Sequence, residues 1–181
     1  KFLSSIIIFF IINKLKSLRH EVLIKIYSAL PLKRNKLILW SNGFRSYGCN
    51  PKYITEYILE NYPNKFDIVW VIDNIVNVPG SIPQNVRVVR YFSKEYLYEL
   101  HTAGFVICNA RTLESYLWTK RKGQVYIQTW HSSLRLKNIE KDAEKTLPES
   151  YIQAAKGDSE KIDYIISGCT FSSPIFKEAF W

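Results

Sequence analysis

The sequence contains no methionine, only three cysteines, and just seven glycines and seven prolines among 181 residues. Without methionine Lys1 is not a translation start, so a fragment or a processed chain is expected. Cys49, Cys108 and Cys169 are odd in number and widely spaced. That excludes a fully paired disulfide framework and the close cysteine pairs of a zinc site, and makes a reducing cytosol the simpler setting. Paired histidine ligands are missing too, and no metal site or resident cofactor is expected. The low glycine and proline content excludes collagen-like and low-complexity chains. Long apolar runs are scarce. Phe2 to Ile12 is eleven residues, about 16 Å as a helix and roughly half of a bilayer's hydrocarbon core. It does not span as written, and Lys and Arg follow it where a signal peptide would carry small residues for cleavage.

What is present is a globular composition, 47% hydrophobic and 23% charged, with 15% aromatics. Acidic residues are nearly absent from one region. Residues 1–36 hold eight Lys or Arg and one acid, Glu21, which places +7 of the formal +9 there and leaves +2 on the other 145 residues. A nucleic-acid-binding protein with positive charge spread over its fold is thereby excluded, and no nucleic acid partner is expected. Within this leader, Glu21 to Leu32 puts Val22, Leu23, Ile26, Ala29 and Leu30 close to one helical face. Two readings fit: core helices with solvated charges, or a basic amphipathic leader (1–35) lying on an anionic membrane surface.

From Lys36 onward, short β-branched and aromatic runs alternate with helix-period segments. The spacing predicts strands at Leu37–Trp40, Phe66–Ile72, Val86–Arg90, Phe105–Cys108, Val125–Thr129 and Tyr164–Ser167. Most are continuous apolar runs, as in a parallel sheet covered on both faces. Asn50-Pro51 predicts the N-cap and first turn of a helix to about Asn61, and Ser93 caps another to about Thr102. Glu140 to Lys156 reads as one long charged helix and Ser173-Pro174 opens a last one. The repeated β-α-β pattern predicts a doubly wound α/β parallel sheet over 36–181.

In such sheets ligands bind beyond the carboxyl ends of the strands. Four loops qualify: Ser41 to Gly48, containing Asn42 and Gly43; Asn109 to Arg111; Trp130 to Lys137; and Gly168 to Thr170. His131 lies just past a strand end, with Ser132, Ser133, Arg135 and Lys137 following. Imidazole titrates near neutrality and can take a proton from a hydroxyl, while the neighbours supply donors of the kind that hold phosphate. A general base beside an anion site and a histidine that only caps a strand end are both compatible with this position. His20 and His101 read as structural or solvated, and Asp142, Glu144 and Asp158 as a solvated helix face. Thr119 to Gly123 fits either a phosphate patch or a basic turn.

The segment KRKGQVYIQTWHSSLRLKNIEKDAE (Lys120 to Glu144), with Tyr164 to Ser167, NPKYI (Asn50 to Ile54) and ICNAR (Ile107 to Arg111), resembles the CDP-glycerol glycerophosphotransferase family of teichoic acid synthesis. The likeness covers about 36–181. The family commonly has glycine directly after the histidine, where this chain has Ser132. The resemblance implies the Rossmann-like N-terminal lobe of a GT-B transferase, with His131 as general base. Substrate- or phosphate-binding roles are expected of the strand-end residues Asn42, Gly43, Asn109, Arg111, Ser132, Ser133, Arg135 and Lys137. It further implies CDP-glycerol as donor substrate, a polyprenol-linked acceptor, peripheral attachment at the cytoplasmic face of the cell membrane, and a C-terminal donor lobe absent from this chain. The fragment alone is then expected to be inactive. Competing expectations are a GT-B transferase using another activated polyol phosphate or a nucleotide sugar, and a non-catalytic membrane-surface fragment.

Overall fold

The computed structural model describes residues 18–74, 81–112, 117–132 and 134–181. The apolar run Phe2 to Ile12 lies outside the described residues, as does Ser133. A helix, α1 (18–29), precedes β1 (Lys33–Trp40), α2 (Cys49–Asn61), β2 (Asp67–Ile72), β3 (Arg87–Arg90) and α3 (Lys94–Thr102). There follow β4 (Ala103–Cys108), β5 (Val125–Gln128), α4 (Glu149–Ser159), β6 (Tyr164–Ile165) and α5 (Ser172–Ala179). All six predicted strands are present within a few residues of their expected ends.

The strands form one parallel sheet in the order β3-β2-β1-β4-β5-β6, the Rossmann arrangement. Alternate side chains of the central strands leave by opposite faces. Ile38, Val69, Val106 and Tyr126 meet Leu97 and Leu100 of α3 on one side, while Leu37, Leu39, Ile68 and Ile107 face α2 on the other. Both faces are dry, which is why these strands read as unbroken apolar runs. The β1–β4 register slips between Lys33 and Leu37. At that slip a Cβ on Gly104 would lie 2.9 Å from the Arg34 carbonyl oxygen, so only glycine fits.

Helix starts and stops follow local chemistry in part. Ser93 caps α3 as predicted, its hydroxyl accepting from the Tyr96 amide at 3.1 Å. The helix expected from Glu140 to Lys156 is instead a 3-10 segment, Glu140–Thr146, followed by α4. Pro148 separates them: it has no amide hydrogen and forces Leu147 before it into extended backbone (φ −88°, ψ 146°). For α2 the predicted Asn50 cap is also corrected. Gly48 occupies the N-cap position without a side-chain hydrogen bond, and Asn50 sits inside the first turn.

Leu23, Ile24 and Tyr27 of α1 pack against the core, as a core helix requires. Leu18, Val22, Ile26 and Leu30, at four-residue spacing, remain exposed on another side. Among the described residues no helix is long and apolar enough to cross a membrane.

Candidate active site

β1 and β4 are neighbours at the centre of the sheet, and from them the chain winds outward in opposite directions. This switch point opens a crevice at their carboxyl ends, where backbone groups are no longer consumed by the ladder. The β1 exit is a single left-handed turn: Asn42, Gly43 and Phe44 have φ of 50°, 63° and 68°. The conformation is costly outside glycine, and two contacts hold it. Phe44 stacks on Tyr91 with ring centroids 4.0 Å apart. Asn42 exchanges hydrogen bonds with Asn109 at the β4 exit: its amide N–H donates to Asn109 Oδ1 at 2.9 Å, and Asn109 Nδ2 donates back to Asn42 Oδ1 at 3.0 Å.

At the neighbouring β5 exit Trp130 is also left-handed, with φ 51°. Its amide donates to Gln128 Oε1 at 2.9 Å, and its ring packs against His131 with centroids 4.3 Å apart. The His131 imidazole then reaches the crevice, where Nδ1 lies 3.0 Å from the Asn109 carbonyl oxygen. A carbonyl can only accept, so in the neutral ring the proton is assigned to Nδ1 and Nε2 carries the lone pair. His131 lines a cleft of about 590 Å³ together with Trp130, Arg135, Lys137, Tyr151 and Phe176.

Of the residues singled out in the sequence, Asn42, Asn109 and His131 converge directly, with Gly43 in the turn between. Ser132, Arg135 and Lys137 line or flank the same cleft. The Ser132 hydroxyl donates to the Leu134 carbonyl, and Arg135 pairs with Asp142 at the surface. Asn42 and Asn109 are occupied with each other, and Asn109 also with His131, so they fix the loops beside the cleft and do not line it. Arg111 stands apart. Its side chain is only 3% exposed, and its guanidinium faces inward: Nε donates to Glu140 Oε2 at 3.0 Å, and Nη1 donates to Asp158 Oδ2 at 3.2 Å and Ser159 Oγ at 2.7 Å. Nη2 lies 2.8 Å from the same Glu140 oxygen, a coulombic contact, and the guanidinium stacks on Phe180. The expectation of an exposed phosphate ligand at Arg111 is therefore corrected: its donors serve the interior.

Asp158 is corrected with it. It is fully buried, accepts from the Thr112 hydroxyl and amide, and is no part of a solvated face. Burial pushes its carboxyl above the ordinary value, opposed by Thr112 and Arg111. Asp142 and Glu144 stay at the surface in ion pairs with Arg135 and Lys156. Cys108, at the end of β4, is buried; desolvation pushes its thiol to about 12, which removes it as a nucleophile. His101 is buried with Nδ1 donating to the Leu97 carbonyl, and His20 rests edge-on against Phe92. In the Thr119 to Gly123 segment, Lys120 binds the Lys161 carbonyl and Asp163, and Arg121 binds the His101 carbonyl. The segment enters β5 at the end remote from His131. Among the described residues, no group of three or more His, Cys, Asp or Glu is placed to hold a metal ion.

Asn50, expected as a helix cap, joins the β5 exit instead. Asn50 Nδ2 donates to the carbonyls of Thr129 at 3.1 Å and Trp130 at 3.2 Å. Its presence in the NPKYI string was the only signal.

The strand order, the switch-point crevice and the histidine in it define a Rossmann-like α/β lobe of the kind that GT-B transferases pair across an active site. The chain belongs to the CDP-glycerol:poly(glycerophosphate) glycerophosphotransferase family, whose model matches residues 22–181. It is 31% identical over 169 residues to the teichoic acid poly(glycerol phosphate) polymerase of Bacillus spizizenii, covering 89% of this chain and 41% of that protein. It is 34% identical over 157 residues to the polymerase of the same name from Staphylococcus epidermidis, covering 83% of this chain and 21% of that protein. A structure of the wall teichoic acid polymerase TagF superposes with a TM-score of 0.75 at 31% identity, over 94% of this chain and 44% of that one. A TagF variant soaked with CDPG superposes with a TM-score of 0.77 at 29% identity, over 94% of this chain and 46% of that one. The chain thus spans less than half the length of these relatives.

Proposed function

We propose that this chain is the acceptor-side lobe of a glycerophosphotransferase that moves glycerol phosphate from CDP-glycerol to a polyprenol-linked teichoic acid acceptor. The observation that carries this reading is the hydrogen bond from His131 Nδ1 to the Asn109 carbonyl. It leaves Nε2 as a proton acceptor at the cleft. The acceptor hydroxyl gives its proton to Nε2 while its oxygen attacks the phosphorus of the glycerol-bearing phosphate. The bond from that phosphorus to the bridging oxygen of CMP breaks, and CMP leaves with the electron pair. Phosphoryl transfer of this kind gains from positioning and from charge around the phosphate. Ser132 and Lys137 at the cleft, with Arg135 shared with Asp142, are suited to that work. The nucleotide of the donor is assigned to a second lobe, and the reaction consumes CDP-glycerol as a substrate with no resident cofactor.

The test is transfer by the protein that carries this chain. Labelled glycerol phosphate from CDP-glycerol is expected to enter a lipid-extractable product with release of CMP in equal amount. Competition by CDP-ribitol and nucleotide sugars profiles the donor; efficient transfer from one of those and none from CDP-glycerol would replace the substrate and keep the lobe.

For the leader we propose a peripheral role at the cytoplasmic face of the membrane. Support comes from +6 on residues 1–35 and from the exposed stripe Leu18, Val22, Ile26 and Leu30; Lys36 is not counted, because it is buried against Glu99. Basic residues near an anionic surface contribute about 1 kcal/mol each, screened by salt. The chain is therefore expected to sediment with phosphatidylglycerol vesicles at low salt and to be released at about 0.5 M, where the Debye length falls well below 10 Å. Equal binding after removal of residues 1–35 would refute the role.

A further inference from the structure

The side chain of Asn50 crosses 79 positions of sequence to reach the Thr129 carbonyl and 80 to reach that of Trp130. These two residues immediately precede His131. Trp130 has φ 51°, a left-handed conformation that is unfavourable for an aromatic residue. Such a residue persists only where its surroundings over-determine it. Here side chains take both of its backbone polar groups: Gln128 Oε1 accepts from the Trp130 N–H at 2.9 Å, and the Trp130 carbonyl accepts from Asn50 Nδ2 and from the Thr129 hydroxyl, each at 3.2 Å. From this clamped turn the chain leaves in the direction that brings His131 Nδ1 to the Asn109 carbonyl.

We infer that Asn50 is a positioning residue for His131: by holding the left-handed turn at Trp130 it selects the imidazole placement that leaves Nε2 bare at the cleft. It acts through the Thr129 and Trp130 backbone and touches no reacting atom. The inference rests on the reading of His131 as general base, and concerns how that base is held.

A second role for Asn50 is open on geometry alone, because it lies in the first turn of α2. There a carboxylate is favoured over an amide by the helix dipole. Asn50→Asp separates the two. The shapes match, but the variant replaces an N–H donor with a negative charge facing two carbonyl oxygens. A residue serving only its own helix would tolerate or welcome the change.

For the clamp, ¹⁵N spectra of the 181-residue chain carrying Asn50→Asp are expected to show the His131 ring losing its single Nδ1-protonated tautomer, with the rest of the backbone spectrum retained. In the protein that carries this chain, kcat is expected to fall about 10²-fold, the loss that misplacement of a catalytic group by about 1 Å produces. KM for the donor should stay unchanged. An unaltered His131 tautomer with unaltered kcat overturns the inference. If the aspartate variant fails to fold, Asn50→Ala is read by the same two measurements with the same consequences. Transfer that survives His131→Ala would sink the base itself. The ring spectra would still judge whether Asn50 positions the imidazole.

Discussion

His131→Ala is expected to lower glycerol phosphate transfer by about 10²- to 10⁴-fold in the protein that carries this chain, the range a positioned general base supplies. The side chain is solvent-exposed, and its polar partner among the described residues is the carbonyl of Asn109, which water can serve equally well. Stability should therefore change by less than about 0.5 kcal/mol, so the loss cannot be mistaken for unfolding. His131→Gln sharpens the test. A glutamine amide can still donate to the Asn109 carbonyl, but it cannot take a proton from the acceptor hydroxyl. Both variants are expected to lose turnover alike while binding donor normally. Turnover retained by the glutamine variant would show that the position needs a donor to Asn109 and no base, and the proposed step would fall.

Arg111→Met is expected to destabilise the fold by about 3–5 kcal/mol, the cost of removing one partner from a buried ion pair. Arg111 and Glu140 are each 3% exposed and Asp158 is 0% exposed, so the variant would strand two carboxylates in the interior. It would also lose the packing of the guanidinium on Phe180. The penalty carries a pH signature. Burial already raises the Asp158 carboxyl, and without the opposing guanidinium it rises further. A carboxyl raised in the folded state holds its proton more tightly there than in the unfolded chain. Its favourable contribution is complete below its unfolded value of about 3.9 and is lost as pH rises through the folded value. The deficit of the variant should therefore be largest at pH 8 and shrink towards pH 5. Urea titrations at both values check this. A penalty below about 1 kcal/mol, or one that grows on acidification, would mean that the pair is hydrated and does not sustain the interior. Activity of this variant should fall only as far as its folded fraction falls, in contrast to His131.

These two residues also mark what could be read from the sequence and what could not. His131 was legible because its signal is local: it follows a short apolar run with strand character, and a parallel strand delivers the next residues to its carboxyl end. Arg111 has the same kind of local context, directly after a strand, and there the inference failed. Whether a strand-end cation meets solvent or a carboxylate depended on Asp158, 47 residues away, and Glu140, 29 residues away. Asp158 misled for the matching reason. On a helix with charged neighbours it resembles a solvated face, and only the packing of α4 against the β4 exit turns it inward.

The helices divide in the same way. Ser93 was read correctly as a cap because capping is satisfied within four residues. Asn50 carries equivalent local chemistry, yet its amide found the carbonyls of the β5 exit instead of its own helix. The break at Pro148 was available locally, since proline cannot donate to the preceding turn, and the charge pattern around it obscured that.

The sequence by itself determined the six strands, the alternating α/β class, the concentration of positive charge in the leader and the strand-end placement of His131, because each depends on periodicity or composition within a short window. Only the tertiary structure decided that β1 lies between β2 and β4, that Asn42 and Asn109 lock together across that switch point, and that Asn50 holds the turn before His131. The same holds for Arg111, drawn into the interior by Glu140 and Asp158. Each of these joins groups 20 or more residues apart, where desolvation and geometry choose the partner and no local pattern records the choice.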